Sequence, residues 1–211
     1  MNPKILLLAD GDALPKSQLS HLRKGRFCVA IDGAADQAKK ERWIPDLILG
    51  DFDTVKPSTL TYFAKKKVTL LSTPDQNYTD LEKALGWAVA QNAKSIWVAQ
   101  ALGKRLDHTL ANLSFLRRFH KPEREIFFFT SQERIQFLAD GKFTLKGKPG
   151  RGFAVIPFPG CNVTSQGLAF EMKELSLELG FKESVSNQAK RAKIELEIKG
   201  QCLVIEEHKI K

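Results

Sequence analysis

Short apolar runs punctuate the first 130 residues: Ile5–Ala9, Phe27–Ile31, Leu47–Leu49, Val68–Leu71, Ile96–Ala99 and Ile126–Phe129. Between them lie stretches of helical pattern near 14–24, 34–43, 56–66, 79–92 and 108–120. The 79–92 stretch sets Leu81, Leu85, Ala88 and Val89 on one helical face. It opens on Thr79-Asp80-Leu81-Glu82, the pattern of a capping box. Strands alternating with helices predict a mostly parallel sheet with helices on both faces.

After about residue 130 the rhythm changes. Phe143–Leu145, Phe153–Phe158, Leu175–Leu179 and Ile194–Ile198 follow a period of two, and glycines and prolines punctuate 147–160. Gly200-Gln201 separates Ile194–Ile198 from Cys202–Ile205, which predicts a hairpin. The expectation is an α/β domain over 1–130 and a second, all-β domain over about 140–211, packed sheet on sheet.

Composition narrows the function classes. The chain has 211 residues, 43% hydrophobic and 27% charged, which suits an ordinary globular protein. No run of about 18 apolar residues exists, so no membrane span is expected. The apolar run after Met1–Lys4 is too short for a secretory signal. Cys28, Cys161 and Cys202 are scattered and odd in number. That excludes a disulfide framework and fits a reducing, cytoplasmic setting.

A net charge of +9 raises the possibility of a nucleic-acid partner. The basic residues are interleaved with acids, however, and no block exceeds Lys65-Lys66-Lys67. No helix-turn-helix, zinc-finger or aromatic RNA-binding motif is present, so no nucleic acid is expected. The acids are more informative. Ten of the twelve up to residue 120 are Asp, whereas eleven of the twelve beyond it are Glu. Asp favours turns, caps and metal sites, so the first set reads as placed short carboxylates.

Their placement follows the strands. The first five apolar runs lead into Asp10-Gly11-Asp12, Asp32-Gly33, Gly50-Asp51-Phe52-Asp53-Thr54, Thr73–Asp80 and Gly103–His108. In a parallel sheet these loops share the edge where ligands bind. Any one loop could be only a turn or a helix cap. Five together would repel one another without a cation. In extended chain Asp51 and Asp53 would point the same way, about 6.5 Å apart, which suits a hard divalent ion. Arg105 offers a fork of donors for phosphate, and helix starts at 34 and 79 favour anionic oxygens. No Walker A or Gly-x-Gly-x-x-Gly loop follows a strand. The four histidines are too dispersed for a zinc site, and no Gly-x-Ser-x-Gly elbow is present.

In these motifs the chain resembles the thiamine pyrophosphokinase family. The likeness rests on Asp32-Gly33-Ala34-Ala35, Pro45-Asp46 leading to Gly50–Thr54, Thr73–Leu85, and Gly103-x-Arg105-x-Asp107-His108 before Ala111-Asn112. Gly167-Leu168-Ala169-Phe170 and Ser186-Asn187 are similar to two thiamine-side motifs of that family. The resemblance implies a Rossmann-like N-terminal half and a C-terminal β-sandwich-like half. It also implies a homodimer with sites shared between subunits. The implied reaction is Mg²⁺-dependent transfer of pyrophosphate from ATP, the co-substrate, to thiamine. Metal would fall to Asp51, Asp53, Asp75 and Asp80. The nucleotide and its phosphates would fall to Asp32, Gly33, Gly50, Gln76, Thr79 and Arg105. Phe170 would stack on thiamine, with Ser186 and Asn187 making polar contacts. Asp51, Asp53, Asp80, Arg105 and Asp107 form the catalytic set, with Asp107 or a metal-bound carboxylate as general base.

The chain departs from that family's usual pattern at Asn77, where Asp is usual, and at Thr54, where Ser is usual. Asp36 replaces a frequent Asn, and Lys104 replaces a small residue. Lys104 either reaches phosphate or is merely solvated, and Phe170 is either a stacking residue or a core aromatic. Asp51-Phe52-Asp53-Thr54 also resembles the nucleophile motif of haloacid-dehalogenase-type phosphatases. Two strands precede it here, and a convincing downstream Lys and acidic pair are lacking. A non-enzymatic thiamine-binding protein would leave the Asp loops unexplained.

Overall fold

The computed structural model describes residues 3–208. The fold is mixed α/β and divides into two compact units, with the chain boundary between Ser131 and Gln132. The first unit contains β1 (Lys4–Leu8), α1 (Lys16–Arg23), β2 (Phe27–Ile31), α2 (Ala34–Lys40), β3 (Leu47–Gly50) and α3 (Pro57–Lys65). It continues with β4 (Thr69–Ser72), α4 (Asp80–Ala90), β5 (Ser95–Ala99), α5 (Leu106–Arg118) and β6 (Glu125–Phe129). All six strands are parallel, in the order β6-β5-β1-β2-β3-β4.

Each of the six apolar runs lies within or across one of these strands. The central ones are buried on both faces, which is why their residues read as runs rather than alternations. β4 is the edge strand and the most exposed. One face of the sheet packs Leu6, Leu8, Cys28, Ala30 and Ile48 with Leu22 of α1, Ala35 of α2 and Phe63 of α3.

The capping box at α4 is only half formed. Thr79 Oγ1 accepts from Glu82 N at 3.3 Å, but the Glu82 carboxylate does not return to Thr79. It pairs with Arg118 of α5 instead, trading a local cap for a helix–helix tie.

The second unit holds β7 (Glu133–Lys146), β8 (Gly152–Gln166), β9 (Leu175–Glu178), β10 (Ser184–Gln188) and β11 (Lys193–Glu207), all antiparallel. β11 lies between β7 and β8. The other edge of β8 pairs first with β10, at Gly152–Val155, and then with β9, at Gly160–Val163. Alternate residues Ile194, Leu196 and Ile198 enter a core with Val155, Val163, Leu177 and Val204.

The hairpin expected at Gly200-Gln201 does not form, because both halves of β11 pair with the same two neighbours. The extra residues are absorbed as a bulge, with register shifts between Ile198 and Gln201 against β7 and between Gly200 and Cys202 against β8. Gly200 takes φ +110° and donates its N–H to Asp140 Oδ1 at 2.7 Å. A side chain there would meet the Gly160 carbonyl at 2.5 Å. Gly200→Ala is therefore expected to destabilise the chain by about 1–3 kcal/mol in urea unfolding. An unchanged midpoint would show that the bulge tolerates a Cβ.

Cys28, Cys161 and Cys202 are all free and buried. Among the described residues, no helix is long and apolar enough to cross a membrane.

Candidate active site

The parallel sheet turns the carboxyl ends of all its strands to one edge, so the five Asp-bearing loops share that edge. From β1 the chain runs outward through β2, β3 and β4. It then returns to place β5 on the other flank of β1. The crevice between the loops after β1 and β5 is the topological switch point, where ligands of open parallel sheets bind. A cavity of about 310 Å³ lies there. Ala9, Asp10 and Gly11 line it from β1, Ile31, Asp32 and Gly33 from β2, and Thr79–Leu81 from the start of α4. Gln100, Ala101, Lys104, Arg105 and His108 line it from beyond β5. Backbone bonds close the floor: Gly11 N donates to Gln100 O at 2.6 Å and Asp12 N to Leu102 O at 2.8 Å.

Three carboxylates converge beside this cavity. One oxygen from each of Asp32, Asp51 and Asp80 lies within 4.8 Å of the others. Asp32 follows β2 at φ +41° and is buried. It is held by the N–H groups of Thr54 (3.2 Å) and Val55 (3.4 Å). Gly50 makes room for it, since a Cβ at Gly50 would come within 2.8 Å of Asp32 Cβ. Burial pushes the Asp32 carboxyl above its ordinary range; the hydrogen bonds from Thr54 and Val55 oppose this, and the charges of Asp80 and Asp53 add to it. Burial also works to raise Asp51, but the Asp53 N–H, the Gln76 amide and Lys83 together hold it low.

Lys83 is the cation already inside the group. Its Nζ lies 2.7 Å from Asp80 Oδ1 and 3.6 Å from Asp51 Oδ2. It also donates to the carbonyls of Thr73 and Asp75. Burial alone would lower its proton affinity, yet the two carboxylates raise it. One ammonium against three close carboxylates leaves net negative charge, and the donors are all hard oxygens. That set fits a divalent ion of the Mg²⁺ type.

Asp51 and Asp53 do not share a face as extended chain would place them. The strand ends at Gly50, and Phe52 turns into the left-handed region at φ +67°. Asp53 N then folds back on Asp51 Oδ1 at 3.2 Å, while the Asp53 carboxylate accepts from Thr54 Oγ1 at 2.9 Å. Asp75 is likewise outside the converging group. Its Oδ1 accepts from Asn77 N and Asn77 Nδ2, both at 2.9 Å. An Asp at 77 could not donate from its side chain, which accounts locally for the Asn. Gln76 Nε2 bonds Asp51 Oδ2 at 3.0 Å, steering that carboxylate. Asp36 Oδ2 accepts from Lys56 N at 3.2 Å, fastening the start of α3.

Arg105 stands at the rim with a two-point bond to Asp107: Nε to Oδ1 at 3.1 Å and Nη2 to Oδ2 at 2.6 Å. That bond, with the His108 N–H, holds the Asp107 carboxyl down at about 2. Lys104 pairs with Asp10 Oδ1 at 2.9 Å across the mouth. Lys83 lies inside the Thr73–Leu85 motif, and the only local sign of its place in this cluster is its spacing of three from Asp80 on one helix. No local pattern marks Gln100, because what buries it is the closure of two loops.

A family model described as thiamin pyrophosphokinase, catalytic domain, matches residues 19–128, just over half of the chain. Thiamin pyrophosphokinase 1 of Caenorhabditis elegans is 31% identical over 186 residues, covering 81% of this chain and 74% of the relative. The chain belongs to the thiamine pyrophosphokinase family. Thiamine pyrophosphokinase of Bacillus subtilis is 27% identical over 149 residues, covering 69% and 70%. The crystal structure of a Bacillus subtilis thiamine pyrophosphokinase superposes with a TM-score of 0.87 at 21% identity, over 98% of this chain and 100% of that one. That of Candida albicans gives 0.85 at 21%, over 98% and 89%. These two likenesses speak for the fold.

In the second unit, Gly167–Phe170 and Ser186-Asn187 meet at one loop. Phe170 is 72% exposed, so it is no core aromatic. Asn187 is buried beneath it. Its Oδ1 accepts from Phe170 N (3.0 Å) and Gln188 N (2.8 Å), and its Nδ2 donates to Phe170 O (2.8 Å). The amide is fully occupied in clamping the loop that presents the ring. Ser186 sits beside it at φ +58°.

Proposed function

We propose that this chain is a thiamine pyrophosphokinase that moves the β,γ-pyrophosphoryl group of ATP to the hydroxyl of thiamine, with Mg²⁺. The observation that carries the reading is the convergence of Asp32, Asp51 and Asp80 beside a cavity rimmed by Lys104 and Arg105. The alcohol oxygen of thiamine forms a bond to the β-phosphorus. The bond from that phosphorus to its α-bridging oxygen breaks, AMP leaves with that oxygen, and the alcohol proton is lost. Such chemistry asks the protein mainly to position the reactants and offset charge.

Asp51 and Asp80, with Asp32, would hold the metal, which when bound withdraws charge from the phosphoryl oxygens. Asp53 and Asp75 support this from the neighbouring turns. Gln76 orients Asp51, Lys83 tempers the carboxylates, and Thr79 fixes the start of α4. Arg105 meets phosphate oxygens with its fork, Lys104 adds charge at the mouth, and Gly33 and Gly50 leave room for close approach. Asp107 is a weak proton acceptor while paired with Arg105, so the base is placed among the three converging carboxylates.

Phe170 stacks on thiamine. Ser186 makes a polar contact, and Asn187 acts through Phe170. Phe170→Ala is expected to raise KM for thiamine about tenfold, for loss of an aromatic stack. Asn187→Ala should raise it similarly while leaving KM for ATP unchanged. Steady-state kinetics in both substrates checks this, and unchanged thiamine KM in Phe170→Ala would remove the assignment.

The finer architecture in this reading is a Rossmann-like catalytic half and a sandwich-like thiamine half. The working unit is a cytoplasmic homodimer with sites shared between subunits. Exposed Leu106 and Leu110 in the first unit, and separately Phe181 and Val185 in the second, support assembly, and three free cysteines support a reducing compartment. Sedimentation at the monomer mass would refute the dimer. The reaction itself is tested by incubating the chain with ATP, thiamine and Mg²⁺. AMP and thiamine diphosphate are expected in equal amounts. Inorganic phosphate without AMP would exclude the reading.

A further inference from the structure

One side chain of the cavity floor is used by neither the fold nor the proposed chemistry. Gln100, the first residue after β5, lines the cavity at only 3% exposure. Its carboxamide nitrogen is buried with no hydrogen-bond partner. Its backbone sits in the left-handed region at φ +61°, where glutamine is uncommon. The conformation is locked, because Gly11 N donates to the Gln100 carbonyl at 2.6 Å. A side chain at Gly11 would collide with that same oxygen. An orphaned donor and a disfavoured backbone at a cavity wall are two separate costs at one residue. Such costs persist where a ligand uses them.

The cavity offers two kinds of lining. Asp10, Asp32, Asp80, Lys104 and Arg105 are its charged contributors. Ala9, Ile31, Leu81 and Ala101 are apolar. A polyphosphate belongs with the first group and a flat uncharged heterocycle with the second. A carboxamide carries a donor and an acceptor side by side, and its terminal torsion is broad enough to turn either toward the cavity. That pair matches the 6-amino group and N7 of adenine. Guanine presents two acceptors on the same edge and leaves the amide oxygen facing another oxygen.

We propose that Gln100 reads the base of the nucleotide substrate and favours adenine over guanine. The inference rests on the ATP-dependent reading above and adds to it a residue that selects the base.

The test is equilibrium binding of AMP and GMP, with Mg²⁺, to the full chain and to Gln100→Gly. Glycine accepts φ +61° freely, so the variant keeps the loop backbone while removing the side chain. Gln100→Asn, also tolerant of that backbone but one methylene shorter, serves as a second variant. The wild-type chain is expected to prefer AMP by about tenfold, within the range of one bidentate base contact. In both variants the preference should fall to within about twofold, through weaker AMP binding with GMP little changed. A wild-type chain that does not discriminate, or an equal preference in wild type and variants, would overturn the proposal. Failure to form thiamine diphosphate, with AMP selectivity intact and Gln100-dependent, would remove the proposed reaction but not this inference.

Discussion

Asp51→Asn and Asp80→Asn are each expected to lower AMP-forming turnover by about a hundredfold or more, with the chain still folded. Changing even an outer partner of a metal ligand typically costs about 10–100-fold, so a direct ligand should cost at least the upper end. The geometry gives the reason. Three carboxylates within 4.8 Å carry three negative charges against one ammonium, Lys83. Removing one charge weakens the attraction for a divalent ion and replaces a hard anionic donor with a neutral amide. The fold should survive, because the same change relieves repulsion. Lys83 also retains its bonds to the Thr73 and Asp75 carbonyls.

A second readout needs no turnover. Mg²⁺ binding to the native state alone raises the thermal midpoint by mass action. The wild-type chain should show that rise, and both variants should show less of it. Asp53→Asn should cost less than either, since its carboxylate bonds Thr54 and lies outside the group. Wild-type turnover in Asp51→Asn, or equal Mg²⁺ shifts in all three chains, would sink the metal assignment.

The contrast between Asp51 and Asp53 shows where sequence stops being sufficient. Strand positions were legible because both faces of the central strands are buried, leaving apolar runs of the right length. The loops were legible as a set because parallel strands put their carboxyl ends on one edge. Which carboxylates meet was not. That depends on Phe52 at φ +67°, which breaks the two-residue repeat assumed for Asp51 and Asp53, and on Gly50, which lets Asp32 in from the neighbouring strand. Lys83 joins through its approach to Asp51, a contact across 32 positions that no local pattern encodes. In the second unit, Gly200 marked a break correctly but not its kind. A glycine between two alternating segments suits a hairpin or a bulge equally, and only shared pairing partners decide between them. The resemblance implies a polar contact from Asn187 to thiamine, yet burial commits its amide to Phe170.

Arg105→Ala is expected to lower turnover by about 10²–10³-fold, the usual loss for a group that stabilises developing oxyanion charge. Arg105→Lys should recover only part of it, because an ammonium keeps the charge but not the two-point fork. The resting structure adds a constraint on how Arg105 works. Its guanidinium is tied to Asp107 through two bonds, yet both side chains are largely exposed. An exposed pair of this kind contributes little to stability, so phosphate can take over the fork at small cost. Asp107→Asn separates two roles for that carboxylate. If Asp107 were the proton acceptor, the variant would lose kcat as severely as Arg105→Ala. If it only parks Arg105, kcat stays near wild type and the change falls on KM for ATP. The second result is expected, because a carboxyl held at about 2 by Arg105 and the His108 N–H gives up its proton too readily to collect one from an alcohol. The pH profile provides an independent check. Asp107 is ionised throughout the range above pH 4, so any acid limb of kcat there belongs to another group and must persist unchanged in Asp107→Asn. Disappearance of that limb would return the proton to Asp107.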